Sequence, residues 1–329
     1  MVAAPDKFRG TATAANVAGA VAAAARDTGW TCVELPLADG GEGTLAALGG
    51  PNRTTTVTGP LGDDVDAPWR LSRGLAVVEM ALASGLELAG GATGNDPIAA
   101  STYGTGELIA AAVEAGAKRV IVGVGGSATT DGGLGALRAL YPVHRLRGVE
   151  ILVACDVRTS FIDAAATFAP QKGASAAQVE LLRRRLERLA DVYLDEHGVD
   201  VRAIDGAGAA GGLAGGLAAA GARLVEGFDL VADEVGLDEA IEGADLVITG
   251  EGFLDEQSWE GKVVGGVCER AAVFGVPVVA IAGEVYDGAS ERIETRSLVS
   301  LCGDERAHGD TVACITEIAA ALMSDRCSG

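Results

Sequence analysis

The chain is 329 residues long, with a formal net charge of -21, 49% hydrophobic residues and only 4% aromatic ones. That length exceeds one small core and suits two domains. That charge argues against nucleic acid and anionic membranes as partners, because both demand a basic footprint.

Six cysteines with no CxxC pair, and only three histidines, argue against zinc and for the reduced thiols of a cytoplasmic protein. Met1 to Gly10 has no apolar h-region, and no run of about 20 apolar residues suggests a membrane span.

In chain order, Pro5 follows so soon that the first strand is either very short or truncated at its start. Thr11 to Arg26, rich in Ala and Val, reads as a buried helix with Thr11 or Thr13 as N-cap. Cys32 to Leu37 and Ala76 to Met80 read as strands. Gly106 to Gly116 reads as a helix, Arg119 to Val124 as a β-branched strand, and Ile151 to Val157 as another strand. Ala176 to Tyr193 is a charged, exposed helix; Asp245 to Thr249 and Val276 to Ala282 are strands; the tail after Cys314 is helical and frays from Ser324. Strands separated by helices mean parallel βαβ units with right-handed crossovers. There is no internal repeat and no low-complexity linker.

Five stretches carry chemistry. Ala4 to Gly10 places Asp6, Lys7 and Arg9 just beyond the first strand, where α/β proteins bind ligands, or forms a polar loop capping the next helix. Ala38 to Thr44 flanks paired glycines with Asp39 and Glu42. These carboxylates suit Mg²⁺ or a substrate hydroxyl, or else Asp39 caps a helix with Glu42 at its third position. In Ser101 to Leu108, Thr105 and Glu107 read as helix-capping residues. Val122 to Gly133 is a strand, a Gly/Ser/Thr loop and a helix start near Gly133. Gly125, Gly126, Ser127, Ala128 and Thr129 could cradle a phosphate, with Asp131 beside it to hold Mg²⁺. No GK[ST] follows, so this is not a Walker A loop. Asp156 closes a strand, and Lys172 lies in a Pro-Gln turn. Finally, Asp245 to Asp255 opens from a strand into Gly250-Glu251-Gly252, with Lys262 after it. A sixth stretch, Gly206 to Gly211, fits GxGxxG with Glu226 downstream, but the preceding Val199 to Ile204 makes a poor strand.

Together these stretches resemble the type I glycerate kinase family. The family's APDSFKG, ADGGEGT and EMASASGL correspond to Ala4 to Gly10, Ala38 to Thr44 and Glu79 to Leu86. Its TSYGTGEL and GGSATNDGG correspond to Ser101 to Gly133, and its ACDVTNPL with FGPQKGA to Ala154 to Ala174. Its GAGAAGG and ADLVITGEGRID with GKxPxGVA correspond to Gly206 to Gly212 and Ala244 to Val267.

The resemblance implies phosphoryl transfer from ATP, with Mg²⁺, to the small molecule D-glycerate, giving a phosphoglycerate, usually the 2-isomer. It implies an α/β fold of two domains with the active site between them. One domain is Rossmann-like with a parallel sheet, expected at 1–75 and 225–329; the other is inserted by the middle of the chain, 76–224. Gly125 to Thr129 and Lys262 are expected to hold ATP, and Asp39, Glu251 and Asp131 the metal. Asp156 is expected to act as general base or orienter of the hydroxyl, and Arg9, Lys172 and Asp6 to complete the catalytic set. A homo-oligomer is left open.

The chain also departs from the family. Lys7 and Arg9 stand where it has Ser and Lys, Thr130 replaces Asn, Phe253 replaces the Arg of GEGRID, and Val264 replaces Pro. Arg158 to Asp163 replaces Asn-Pro-Leu-Gly, and Tyr141 to Glu150 is much shorter than the family's segment. These departures keep other readings in play: a kinase of another small hydroxy acid, a relative that only binds a ligand, or an NAD-dependent oxidoreductase using GxGxxG.

Overall fold

The computed structural model describes residues 1–8, 10–259, 261–286, 288 and 292–327. Its strands are β1 (Val2–Ala3), β2 (Val33–Glu34), β3 (Arg53–Thr58), β4 (Asp64–Ser72), β5 (Leu75–Glu79), β6 (Arg119–Gly123), β7 (Glu150–Ala154), β8 (Arg223–Val225), β9 (Val247–Leu254), β10 (Val278–Val285) and β11 (Glu294–Ser297). The chain divides into two compact units. One comprises Met1–Asp39, Ala46–Leu48 and Phe228–Gly329; the other comprises Gly40–Leu45 and Gly49–Gly227.

The first unit has a sheet of five strands in the order β2-β1-β9-β10-β11, every pair parallel. Counted within the unit this is the doubly wound order 2-1-3-4-5. Its strand order reverses between β1 and β9, and ligands bind beyond the carboxyl ends at such a switch point. The helix Ala14–Asp27, opened by a Thr13 capping box, packs Val17 and Val21 beside Ile248, Ile281 and Ile315. On the other face Val263 and Val267 of the helix Val263–Phe274 meet Val2 and Val247. β1 has only two residues, and both are buried between neighbours, as a central parallel strand must be.

The second unit has six strands in sequential order, β3 to β8. β3, β4 and β5 are antiparallel, and β5 to β8 are parallel. Leu108 and Ile109, from the helix Tyr103–Glu114, pack with Val120, Val122 and Val153.

Two sequence expectations shift. Arg53 to Ser72 is a hairpin hydrogen-bonded through β4 to β5, so the chain passes into the second sheet near residue 49 rather than at 75–76. The helix expected from Gly106 begins at Tyr103, and neither Thr105 nor Glu107 caps it. The Thr105 hydroxyl donates to Ser84 Oγ, and Glu107 accepts from the Thr58 N–H, fastening the helix to the end of β3.

Candidate active site

In the first unit, the candidate residues gather at the carboxyl edge. The Asp6 N–H donates to the Gly250 carbonyl at 2.8 Å, and the Thr249 hydroxyl donates to the Ala4 carbonyl at 2.8 Å, so the ends of β1 and β9 are tied together. Gly250 is required there: a Cβ would meet the Ile281 carbonyl oxygen at 1.9 Å. β9 continues past Thr249 to Leu254, so Glu251 stands within the strand just beyond the end of β1, where Asp6 and Lys262 act on it.

Both acids lack sufficient compensation. Burial pushes Asp6 up to about 6, opposed by Lys7 and reinforced by Asp39. Burial likewise pushes Glu251 up to about 7, opposed by Ser258 and Lys262. Glu251 Oε1 is buried and meets no hydrogen-bond donor among the described residues. Lys7 Nζ lies 3.7 Å from Asp6. Arg9 lies outside the described residues.

Asp6, Asp39 and Glu251 do not form a preformed metal cage. Among the described residues, the trio whose ligand atoms lie within 4.8 Å of one another is Glu284, Asp304 and His308, which is largely exposed and farther out along the sheet. An open set of carboxylates fits Mg²⁺ nevertheless, because that ion usually takes one or two carboxylates and completes its shell with water and phosphate oxygens. The orphaned Glu251 oxygen is the observation that fits.

In the second unit, one buried cation is bonded to the loop after β6. Lys172 is 3% exposed, and its ammonium donates to Ser127 Oγ at 2.7 Å and to the Thr129 carbonyl at 2.6 Å. Burial pulls it down to about 7, opposed by the charge of Asp131. The N–H groups of Gly125, Gly126 and Ser127 make no hydrogen bond within the described residues. The hydroxyls of Thr129 and Thr130 are buried and also without partners there. Asn95 ties the pieces together, its amide donating to the carbonyls of Ala128 and Lys172.

Other second-unit residues are placed differently from expectation. Both oxygens of Asp131 are occupied. They accept from the N–H groups of Thr102, Gly133 and Gly135 and from the Thr102 hydroxyl. Asp131 therefore caps the short helix Leu134–Leu140, which fills the expected helix-terminus phosphate site and leaves no lone pair facing a metal. Asp156 closes β7, and its Oδ1 accepts from the Gly227 N–H at 2.6 Å.

Glu79 escaped the sequence reading. It is buried, and its Oε1 accepts from the N–H groups of Gly43 and Leu45, so the Gly-Gly-Glu-Gly turn is capped by the end of β5 rather than by Asp39. The available signal was an acid closing an otherwise apolar strand.

The GxGxxG stretch follows a 3-10 turn, not a strand, and Ala210, Gly211 and Gly212 all have positive φ. A Cβ on Gly211 would strike the Thr129 carbonyl oxygen at 2.0 Å. These glycines serve close packing against the loop at 129–132, not a dinucleotide turn. A separate cleft of about 1440 Å³ beside the helix Ala176–His197 touches Thr130 and Asp131 but not Lys172 or the free N–H groups.

The Glycerate kinase family model matches residues 1–142 and 142–323, with its interruption in the segment read as shortened. The glycerate kinase of Halalkalibacterium halodurans is 39% identical over 88% of this chain and 86% of its own length. The glycerate 2-kinase of Escherichia coli is 40% identical over 87% of this chain and 86% of its own length. A crystal structure from Salmonella typhimurium LT2, described as a glycerate kinase 2, superposes with a TM-score of 0.85 at 34% identity. It covers all of this chain and 98% of that one.

Proposed function

As this chain belongs to the glycerate kinase family, phosphotransferases with an alcohol group as acceptor, we propose that it transfers the γ-phosphoryl group of ATP to the 2-hydroxyl of D-glycerate. The observation that carries this reading is Lys172, a buried cation that donates to Ser127 and Thr129 in the same loop whose Gly125, Gly126 and Ser127 N–H groups make no hydrogen bond within the described residues.

In this reading Gly125 to Ser127 and Lys172 hold phosphoryl oxygens. Asp156 orients the glycerate hydroxyl and accepts its proton as the oxygen forms its bond to phosphorus. The bond from phosphorus to the bridging oxygen breaks, and ADP leaves with that electron pair. Glu251, with Asp39 and Asp6, would hold Mg²⁺, which supplies neutralisation of the phosphate charge. Lys262, which acts on Glu251 and Asp6, would draw a phosphate toward that edge. The free cysteines among the described residues suit a reducing cytoplasm.

The test is a coupled ADP-release assay with MgATP and a panel of small hydroxy acids, with the product read by phosphorus NMR. Turnover on D-glycerate giving 2-phosphoglycerate supports the reading. Turnover only on another acid moves the substrate, and turnover on none leaves a ligand-binding relative.

A further inference from the structure

The carboxyl edge of the first sheet carries a feature that phosphoryl transfer does not use. Phe253 and Tyr286 are 46% and 51% exposed, in a chain with few aromatic residues. Their ring centroids lie 6.3 Å apart with the planes tilted by 31°.

The sheet places these rings beside the acidic edge. Residues two apart on an extended strand share a face, so Phe253 projects from β9 on the side of Glu251. β10 runs alongside in register, with Ala282 opposite Glu251 and Glu284 opposite Phe253. Tyr286 lies just beyond β10; its N–H donates to the Leu254 carbonyl at 2.9 Å, and its hydroxyl donates to Glu284 Oε2 at 2.8 Å. Both rings are therefore fixed by backbone pairing and a side-chain bond, although half of each meets water. Two adjacent, oriented, exposed rings offer a π surface on which a planar ring can stack.

We propose that Phe253 and Tyr286 form a stacking platform for the base of the nucleotide whose phosphates are drawn to the Glu251 edge. The proposal rests on the kinase reading and adds to it the residues that hold the base. A ring slipped between the two would need roughly 7 Å, twice the carbon contact distance, so the base lies on the outer face of the pair. Stacking of this kind tolerates any base, since every base offers a π-face.

The experiment is isothermal titration of MgATP and of magnesium tripolyphosphate, which has the phosphates but no base. The proteins are the wild type, Phe253→Ala, Tyr286→Ala and Phe253→Trp. Each alanine variant should bind MgATP roughly fivefold to a hundredfold more weakly. Binding of tripolyphosphate should stay unchanged, and Phe253→Trp should retain MgATP binding. Two results overturn the platform and leave the kinase reading standing: alanine variants that bind MgATP like the wild type, or tripolyphosphate binding that falls in parallel. A wild type that binds no MgATP overturns both.

Discussion

The first unit gathers carboxylates at the end of its sheet, and burial pushes Asp6 and Glu251 up toward their neutral forms. The second unit buries one ammonium, on Lys172, against neutral oxygens, and burial pulls it down toward its neutral form. In both places the fold holds a charge without enough of its opposite. Lys7 and Lys262 do not cancel the acids, and the carboxylate that acts on Lys172, Asp131, is committed to backbone N–H groups. Structural ion pairs pull pKa values the other way, as Glu180 beside Arg183 and Arg184 shows by falling to about 2. Groups displaced against their own charge are candidates for ligand sites. In the proposed reading the first unit takes a cation and the second an anion.

Three substitutions can break that pairing. The largest effect is expected from Lys172→Met, which keeps the stem and removes the cation. Its kcat/KM in the ADP-release assay should fall roughly 100-fold to 1000-fold, as for loss of one preorganised charge stabiliser. Its melting temperature should hold or rise, because a desolvated charge has gone. Activity near wild type would show that Lys172 is only structural. Next comes Glu251→Gln, which should abolish the thermal stabilisation given by Mg²⁺ and lower kcat/KM at least about tenfold. Stabilisation equal to wild type would move the cation elsewhere, with Glu284, Asp304 and His308 the first place to look. Asp156→Asn should lower kcat at least about tenfold, short of the roughly hundredfold low end for a positioned acid or base because the amide still orients the hydroxyl, while its Oδ1 still accepts from Gly227 and keeps the fold. Unchanged turnover there would remove the proton acceptor from the scheme.

What the sequence made legible follows the same division. The parallel strands β6, β7, β9 and β10 were readable because strands buried on both faces are nearly unbroken apolar runs. The β3–β4 hairpin was not, because Arg53 to Thr58 is mostly threonine and only one of its faces, through Val57, reaches the core with Ala67 and Trp69. Asp6, Glu251 and Lys172 stood out by residue type and by their place at strand ends or turns. Asp131 misled because its partners include Thr102, 29 positions earlier, and no local pattern reveals that the carboxylate is already used. GxGxxG misled for a related reason: glycine spacing records close approach of backbone, but not whether the approaching group is a ligand or, as here, the chain at Thr129.

The smallest expected effect is also the sharpest test of the comparison, because the two clusters should leave opposite marks on stability against pH. Asp6 and Glu251 have raised folded-state values. Between about pH 4 and pH 7 the folded protein then holds more protons than the unfolded chain, and stability falls as pH rises. Lys172 has a lowered value, so between about pH 7 and pH 10 the unfolded chain holds more protons and stability rises with pH. Acting together, the three groups give the ligand-free protein a minimum near pH 7. Each limb is worth at most a few kcal/mol, one pKa unit being about 1.4 kcal/mol. Melting temperatures of the wild type minus those of each variant cancel the background from the net charge. Glu251→Gln should flatten the limb below pH 7, as should Mg²⁺ added to the wild type; Lys172→Met should flatten the limb above it. If Glu251→Gln instead ran parallel to the wild type from pH 5 to pH 7, its carboxylate would be solvated, and the first unit would lose its claim to an uncompensated acid.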